Sequence, residues 1–221
     1  MRTVADLAGR HVRGHATDVA LQTFPALAAR TGLDARRVRI STSEVGMREL
    51  VGGMLAGESD AVFGYESTIA AALVGAGQPV TQLRFLHYRT LVPELYGSAL
   101  MVARRLVREQ PGLVAGLVRA VNHGVADVIA DPDAAIAAVR RRDPALVVDA
   151  ERDRLTRTLA GEMGHPDGRR LGLGAIDGAR FAAAMRLLCD AKSLRVPAAS
   201  DVVSDAFPVP AAERITRLST G

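Results

Sequence analysis

The chain has 221 residues, enough for one ordinary domain or two small lobes with a substantial core. Hydrophobic residues make up 48% of it and aromatic residues 4%, which is typical of a helix-rich α/β protein and excludes a disordered chain or a β-sandwich. The formal net charge is +4, but aromatic residues do not alternate with the arginines, so we expect no nucleic-acid binding. Since no uninterrupted apolar run of about 18 residues occurs, the sequence predicts no membrane-spanning segment.

The first elements alternate between strand and helix. Residues 11–14 form a short predicted strand, and the helix that follows ends at Gly32. Pro25 either kinks this helix or lies in its first turn with Thr23 as the N-cap. Residues 37–40 alternate as a second strand. This order of elements favours a mostly parallel sheet.

The next stretch is the most informative part of the chain. An amphipathic helix begins at Met47, and a short apolar strand follows at residues 61–63, bounded by Asp and Gly. An alanine-rich helix comes directly after Gly64, Tyr65 and Glu66. These three residues are therefore predicted at the carboxyl end of a sheet strand, where open α/β sheets bind small ligands.

The character of the sequence changes in the second half. Residues 83–86 and 97–102 are predicted strands, separated by a connector that contains Pro93. Pro111 begins a long helix with a continuous apolar stripe, Asp131 precedes the next helix, and helical patterns continue to the end. The sequence thus predicts alternating α/β structure followed by a mainly helical part.

Several motifs along nearly the whole chain occur in the order and spacing of one family. They are DLAGRHV at 6–12, GESDAVFGY at 57–65, YGSALMV at 96–102, GAIDGARF at 174–181 and DAF at 205–207. Together they resemble type II periplasmic solute-binding proteins of the nitrate/sulfonate/taurine and NMT1/THI5-like branch. The resemblance implies an α/β, type II periplasmic-binding-protein-like fold. Its ligand-cleft lobe, a complete α/β lobe, would span residues 1–95, and a helix-rich partial lobe would span residues 96–221.

Members of that family begin with a further βαβ segment of the first lobe, whereas this sequence starts at the crossover. A truncated gene, a mis-assigned start codon and a shortened descendant with another role are the open explanations. The sequence as given has no signal peptide, and the resemblance implies a periplasmic or extracytoplasmic location for the full-length form.

The resemblance implies a ligand cleft between two lobes that close about a hinge. The candidate ligand-binding residues are His15, Thr17, Asp18, Thr42, Glu44, Gly64, Tyr65, Glu66, Tyr88 and Tyr96. Tyr65 could stack on a planar ligand and Glu66 could accept hydrogen bonds from an amine, or both could serve only helix packing and capping. Asp18 could instead cap the following helix. Tyr88 and Tyr96 flank the crossover, where aromatic residues can also be structural.

The function implied is that of a substrate-binding component of an ABC importer, with a permease and an ATPase as partners. The acidic candidates favour a small organic ligand, nitrogen-containing or aromatic. We expect no catalytic residues and no cofactor, and the five dispersed histidines lack metal-ligand spacing. A cytoplasmic ligand sensor is the alternative. A THI5-like pyrimidine synthase is disfavoured, because that enzyme uses a cysteine-rich iron motif and this chain has the single Cys189.

Overall fold

A small parallel sheet lies at the centre of the fold in the computed structural model, which describes residues 1–218. Its strands are β1 (His11–His15), β2 (Arg39–Ser43) and β3 (Ala61–Val62). The strand order is β2-β1-β3, and both pairings are parallel. His15 and Ser43, the last residues of β1 and β2, are partners in the register. The prediction of a parallel sheet is confirmed, and all three strands end at the same edge.

Helices connect the strands in the first part of the chain. They are α1 (Val19–Thr31), α2 (Met47–Leu55), α3 (Glu66–Gly75) and the short α4 (Tyr88–Leu91). Gly32 ends α1 in the left-handed conformation, with φ of 72°, which glycine adopts at little cost. Pro25 lies inside α1, and the Thr23 hydroxyl donates to the Val19 carbonyl at 2.7 Å. Thr23 is therefore not the N-cap, and Pro25 is an interior proline.

The second part is helical, as the sequence predicts. Its helices are α5 (Arg104–Glu109), α6 (Pro111–Ala130), α7 (Pro132–Arg142), α8 (Val148–Arg157), α9 (Pro166–Leu171), α10 (Gly178–Ala191) and α11 (Ala199–Val202). A π-helical turn, Thr158–Glu162, follows α8 directly. Asp131 caps α7 by accepting from the Ala134 backbone N–H at 2.9 Å, and prolines occupy the first turns of α6 and α7, where no donor is lost.

Two predicted strands are wrong. Residues 83–86 follow a 3-10 turn, Val80–Gln82, and Phe85 packs against a helical cluster instead of joining the sheet. Residues 97–102 have no strand partner, and Met101 is 88% exposed. Short apolar runs predict strands because they need burial, but a strand also needs a neighbour to hydrogen-bond, and none of the described strands lies beside these runs.

The main hydrophobic cluster lies under the sheet. Its buried members are Val4, Leu7, Val12, Phe24, Leu27, Ala28, Val38, Phe63 and Val92. The Phe24 and Phe63 rings meet edge to face, with centroids 5.4 Å apart. Leu187 of α10 packs against the same cluster. Residues on both sides of the predicted boundary after residue 95 thus share this core, and the assignment of two lobes stays a prediction.

Helix α6 has an apolar face that no other part of residues 1–218 covers fully. Leu113 is 57% exposed, and Leu117 and Val121 are exposed on the same stripe. By length and composition α6 is the one helix in residues 1–218 that could cross a membrane. The absence of a membrane-spanning segment, which the sequence predicts, stays a prediction.

Candidate functional site

Three strand ends and three helix beginnings meet along one edge of the sheet. We call residues 15–18, 42–45 and 64–66 the sheet rim. Gly14 keeps β1 and β3 close at this edge, because a Cβ there would lie 3.0 Å from the Phe63 Cβ. Each of the three chain segments turns from its strand into a helix at the rim. The rim therefore holds eight of the ten candidate residues that the sequence predicts.

A hydrogen-bonded cluster joins the ends of β1 and β2. The His15 Nδ1 atom lies 2.8 Å from the Thr17 hydroxyl and accepts from the Thr17 backbone N–H at 3.3 Å. The Nε2 atom lies 3.1 Å from a Glu44 carboxylate oxygen. Because Nδ1 accepts from the Thr17 N–H, a neutral ring carries its proton on Nε2, the ring atom that faces the Glu44 carboxylate. Glu44 remains 80% exposed, so its carboxylate can still accept from a ligand.

Two further rim residues are placed less favourably for a ligand. The Asp18 carboxylate caps α1 by accepting from the backbone N–H groups of Ala20 at 2.8 Å and Leu21 at 3.3 Å. The capping role considered for Asp18 is therefore present. Thr42 is exposed on β2, opposite Gly14 in the register. A ligand role for either residue stays a prediction.

The end of β3 brings Gly64 and Tyr65 to the rim. A Cβ at Gly64 would lie 2.5 Å from the Met47 terminal methyl group and 3.2 Å from the Ile69 Cδ1 atom. Glycine thus allows α2 and α3 to pack closely beside the strand end. Tyr65 occupies the N-cap position of α3, makes no capping hydrogen bond with its side chain, and is 38% exposed. Part of its ring is accessible for stacking on a planar ligand.

Glu66 is engaged by cationic groups of this chain. Its carboxylate accepts from Arg157 at 3.0 Å and from Arg89 at 3.3 Å, and the His87 Nδ1 atom lies 3.3 Å away. Burial, followed by the charge of Arg89, lowers the pKa of His87 below its ordinary value, while Glu66 opposes that shift. An amine ligand would therefore have to compete with Arg157 and Arg89 for Glu66.

A cavity of about 320 Å³ opens beside Glu66. Its lining residues are Glu66, Arg89, Asp153, Thr156, Arg157, Ala160 and Gly161. The Arg157 Nε atom donates to Asp153 at 2.7 Å, and Glu162 of the π-helical turn accepts from the Ser67 backbone N–H at 3.1 Å. Sequence reasoning missed these residues of α8 and of the turn after it. The only local signal is the spacing of Asp153 and Arg157, four residues apart on one helix.

The two tyrosines near the crossover both have partners within the chain. The Tyr88 hydroxyl donates to the Ala20 carbonyl at 2.7 Å, and burial raises the pKa of this hydroxyl. The Tyr96 hydroxyl accepts from the Asp177 backbone N–H at 3.0 Å and donates to the Asp177 carbonyl at 3.2 Å. Tyr88 thus contacts the first turn of α1 beside the rim, whereas Tyr96 contacts the start of α10.

Metal and thiol chemistry find little support in the described part of the chain. Within residues 1–218 no group of three or more His, Cys, Asp or Glu side chains is arranged to hold a metal ion. Cys189 of α10 is a partly exposed free thiol. The arrangement at the rim instead offers an aromatic face, a carboxylate and an imidazole, which are groups suited to binding.

The NMT1/THI5-like family model matches residues 1–135, more than half of the chain. The chain therefore belongs to the NMT1/THI5-like family, and the resemblance found in the sequence motifs is confirmed. The family fits a solute-binding role. A comparison with curated proteins found no match. The matched region contains the whole sheet and the rim, whereas Asp153 and Arg157 lie outside it.

Proposed function

We propose that this protein reversibly binds a small organic solute at the sheet rim, as the substrate-binding component of an ABC importer. One observation carries the proposal: the ends of β1, β2 and β3 bring His15, Glu44 and Tyr65 to one edge of a parallel sheet. That edge is the usual ligand position in open α/β folds. Family membership supports solute binding, and the importer is the setting that we propose for it.

The rim chemistry supports a nitrogen-containing or aromatic ligand. Glu44 is 80% exposed, and the His15 Nε2 atom lies 3.1 Å from its carboxylate. Glu66 is less available, because Arg157 and Arg89 already donate to it. We therefore assign Glu44 as the acceptor for an amine or ring N–H and Tyr65 as the stacking surface. The ligand is released chemically unchanged, because the proposed role is binding without turnover.

The proposed partners are a membrane permease and an ATPase, and the proposed site of action is extracytoplasmic. In this setting, closure over the solute would present a surface to the permease. A transport assay tests this part: vesicles that contain a candidate ABC permease and its ATPase should accumulate labelled solute only when the protein is added outside. Uptake that is independent of the protein would contradict the importer assignment.

Calorimetric titration tests the binding role. An aminopyrimidine, an alkyl sulfonate and nitrate are titrated separately into the full chain, and the ligand is recovered afterwards by chromatography. We expect saturable binding of the aminopyrimidine and recovery of the intact compound. Exclusive binding of sulfonate or nitrate would contradict the ligand class, whereas a chemically altered product would contradict binding without turnover.

Variants locate the site. Glu44→Gln should weaken aminopyrimidine binding by about tenfold or more, because a hydrogen bond to a charged group contributes roughly 1.5–3 kcal/mol. Tyr65→Ala should weaken it by about two- to tenfold, because an aromatic stacking contact contributes roughly 0.5–1.5 kcal/mol. Glu109→Gln is the matched control, since Glu109 is 56% exposed on α5 and pairs only loosely with Arg105, at 3.8 Å. Equal affinities for all three variants would refute binding at the rim.

A further inference from the structure

Arg180 fastens α10 to the connector between α4 and α5. We call residues 92–97 the connector. The Arg180 guanidinium donates to the carbonyl oxygens of Leu95 at 2.7 Å and Pro93 at 3.1 Å, and its Cζ atom lies 4.0 Å from the centroid of the Tyr96 ring. The Arg180 side chain is only 14% exposed. One largely buried cation thus binds two backbone carbonyls of the connector and one aromatic ring.

His165 lies against this cation in a form that must be neutral. Its Nδ1 atom lies 2.9 Å from the Arg180 Nη1 atom and accepts from the Asp167 backbone N–H at 3.1 Å. Both partners are donors, so Nδ1 can carry no proton. His165 is also the N-cap residue of α9, where its ring nitrogen takes the place of the usual side-chain oxygen.

Protonation of His165 would reverse these contacts. A proton on Nδ1 would face the N–H groups of Arg180 and Asp167, so two hydrogen bonds would be lost and two cations would lie about 3 Å apart. The Asp167 carboxylate, 3.6 Å from Nδ1, attracts the protonated ring, but Arg180 at 3.2 Å and Arg170 at 3.0 Å already share it. Repulsion by Arg180 therefore outweighs the attraction of Asp167.

The other charged groups near the ring are already paired. Asp177 at the start of α10 accepts from Arg170 at 2.8 Å. Glu94 in the connector lines the same hollow and pairs with Arg30 of α1 at 2.8 Å. The Glu94 Oε2 atom is buried without a hydrogen-bond partner, but the groups that favour a protonated His165 are the Asp167 carboxylate and the Pro93 carbonyl. Burial and then the charge of Arg180 outweigh both and lower the pKa of His165 below its ordinary value of 6.5.

We propose that His165 is a proton-sensitive latch: in its neutral form it keeps Arg180 on the connector, and in its protonated form it releases the connector from α10. The release is local, because Val92 at the start of the connector is fully buried in the main core and stays anchored. In the protonated form, Arg180 no longer donates to the carbonyls of Pro93 and Leu95 and no longer lies over the Tyr96 ring. This inference concerns the joint between the sheet-bearing and helical parts and does not depend on the proposed ligand.

The test follows the histidine ring and the connector amides in one nuclear magnetic resonance titration of the full chain, between about pH 5 and pH 8. We expect His165 to titrate below 6.5. The Leu95 amide donates to the Val92 carbonyl at 3.1 Å, and its hydrogen-exchange protection should fall with the same midpoint, by about tenfold for each unit by which the His165 pKa is lowered. A His165 titration midpoint at or above pH 6.5 would overturn the proposal. Hydrogen-exchange protection of the connector that does not change as His165 titrates would overturn it as well.

Two variants separate the latch from general acid sensitivity. His165→Gln offers a neutral acceptor at every pH, so connector protection should become independent of pH. His123→Gln is the matched control, because His123 is 62% exposed and its partner is Glu213. It should retain the response of the parent chain. If His165→Gln fails to fold, the coincidence of the two midpoints in the parent chain decides the question alone.

Discussion

Replacing Arg157 with Met removes a cation from the network that joins α8 to the first turn of α3. Arg157 bonds Glu66 at 3.0 Å and Asp153 at 2.7 Å, and its side chain is 27% exposed. Met keeps the apolar stem, so the change isolates the charge. Breaking a buried pair costs about 3–5 kcal/mol, whereas an exposed pair contributes about 0.2–1 kcal/mol. Since these groups are partly exposed and Glu66 keeps Arg89, we expect a loss of about 1.5 kcal/mol, or roughly 3–6 °C in Tm.

Urea unfolding followed by far-ultraviolet circular dichroism measures this loss, because the chain has no Trp to report by fluorescence. A double-mutant cycle with Glu66→Gln should give a coupling energy of about 1 kcal/mol. Arg152→Met on the same helix is the matched control: Arg152 is 51% exposed and pairs with the exposed Asp133, so no measurable change is expected. Equal losses for Arg157→Met and Arg152→Met, or additive effects in the cycle, would refute a stabilising role for the network.

Three further predictions concern stability and can be checked by the same unfolding assay. Leu73→Ala, at a site 1% exposed, should lower the free energy of unfolding by about 2–5 kcal/mol, whereas Leu113→Ala, at a site 57% exposed, should change it by less than about 0.5 kcal/mol. Asp18→Ala should cost about 1 kcal/mol because it removes the cap of α1, and Asp18→Asn should restore most of the loss. The pKa values of His87 and His165 are lowered, so the folded state binds fewer protons than the unfolded state; the free energy of unfolding should fall as the pH drops below 6.5, and Gln at both positions should flatten that slope.

The sheet could be predicted from the sequence because its signals are local. β1 and β2 alternate apolar or small residues with polar ones, β3 begins a short apolar run bounded by Asp60 and Gly64, and each strand is followed by a helix with a readable beginning. Residues 83–86 and 97–102 show the same local pattern and form no strand. Whether an apolar run becomes a strand depends on a neighbouring strand distant in sequence, and a single sequence does not specify that neighbour.

The rim could be predicted for the same reason, since parallel strands end at a common edge. The contacts that set the chemistry of each rim residue could not. The sequence gives Glu66 as an acidic residue at a strand end, but its partner Arg157 lies 91 residues away. His15 and Glu44 come from adjacent strands, so their pairing follows from the register, which the sequence pattern alone leaves undefined.

The most direct test of the central claim, that the three strand ends form one solute site, is a map of amide chemical shifts during titration with an aminopyrimidine. We expect the amides of residues 15–18, 42–45 and 64–66 to shift together and to saturate with one Kd. Shifts confined to other parts of the chain, a separate Kd for each strand end, or no saturable shift at all would contradict the claim.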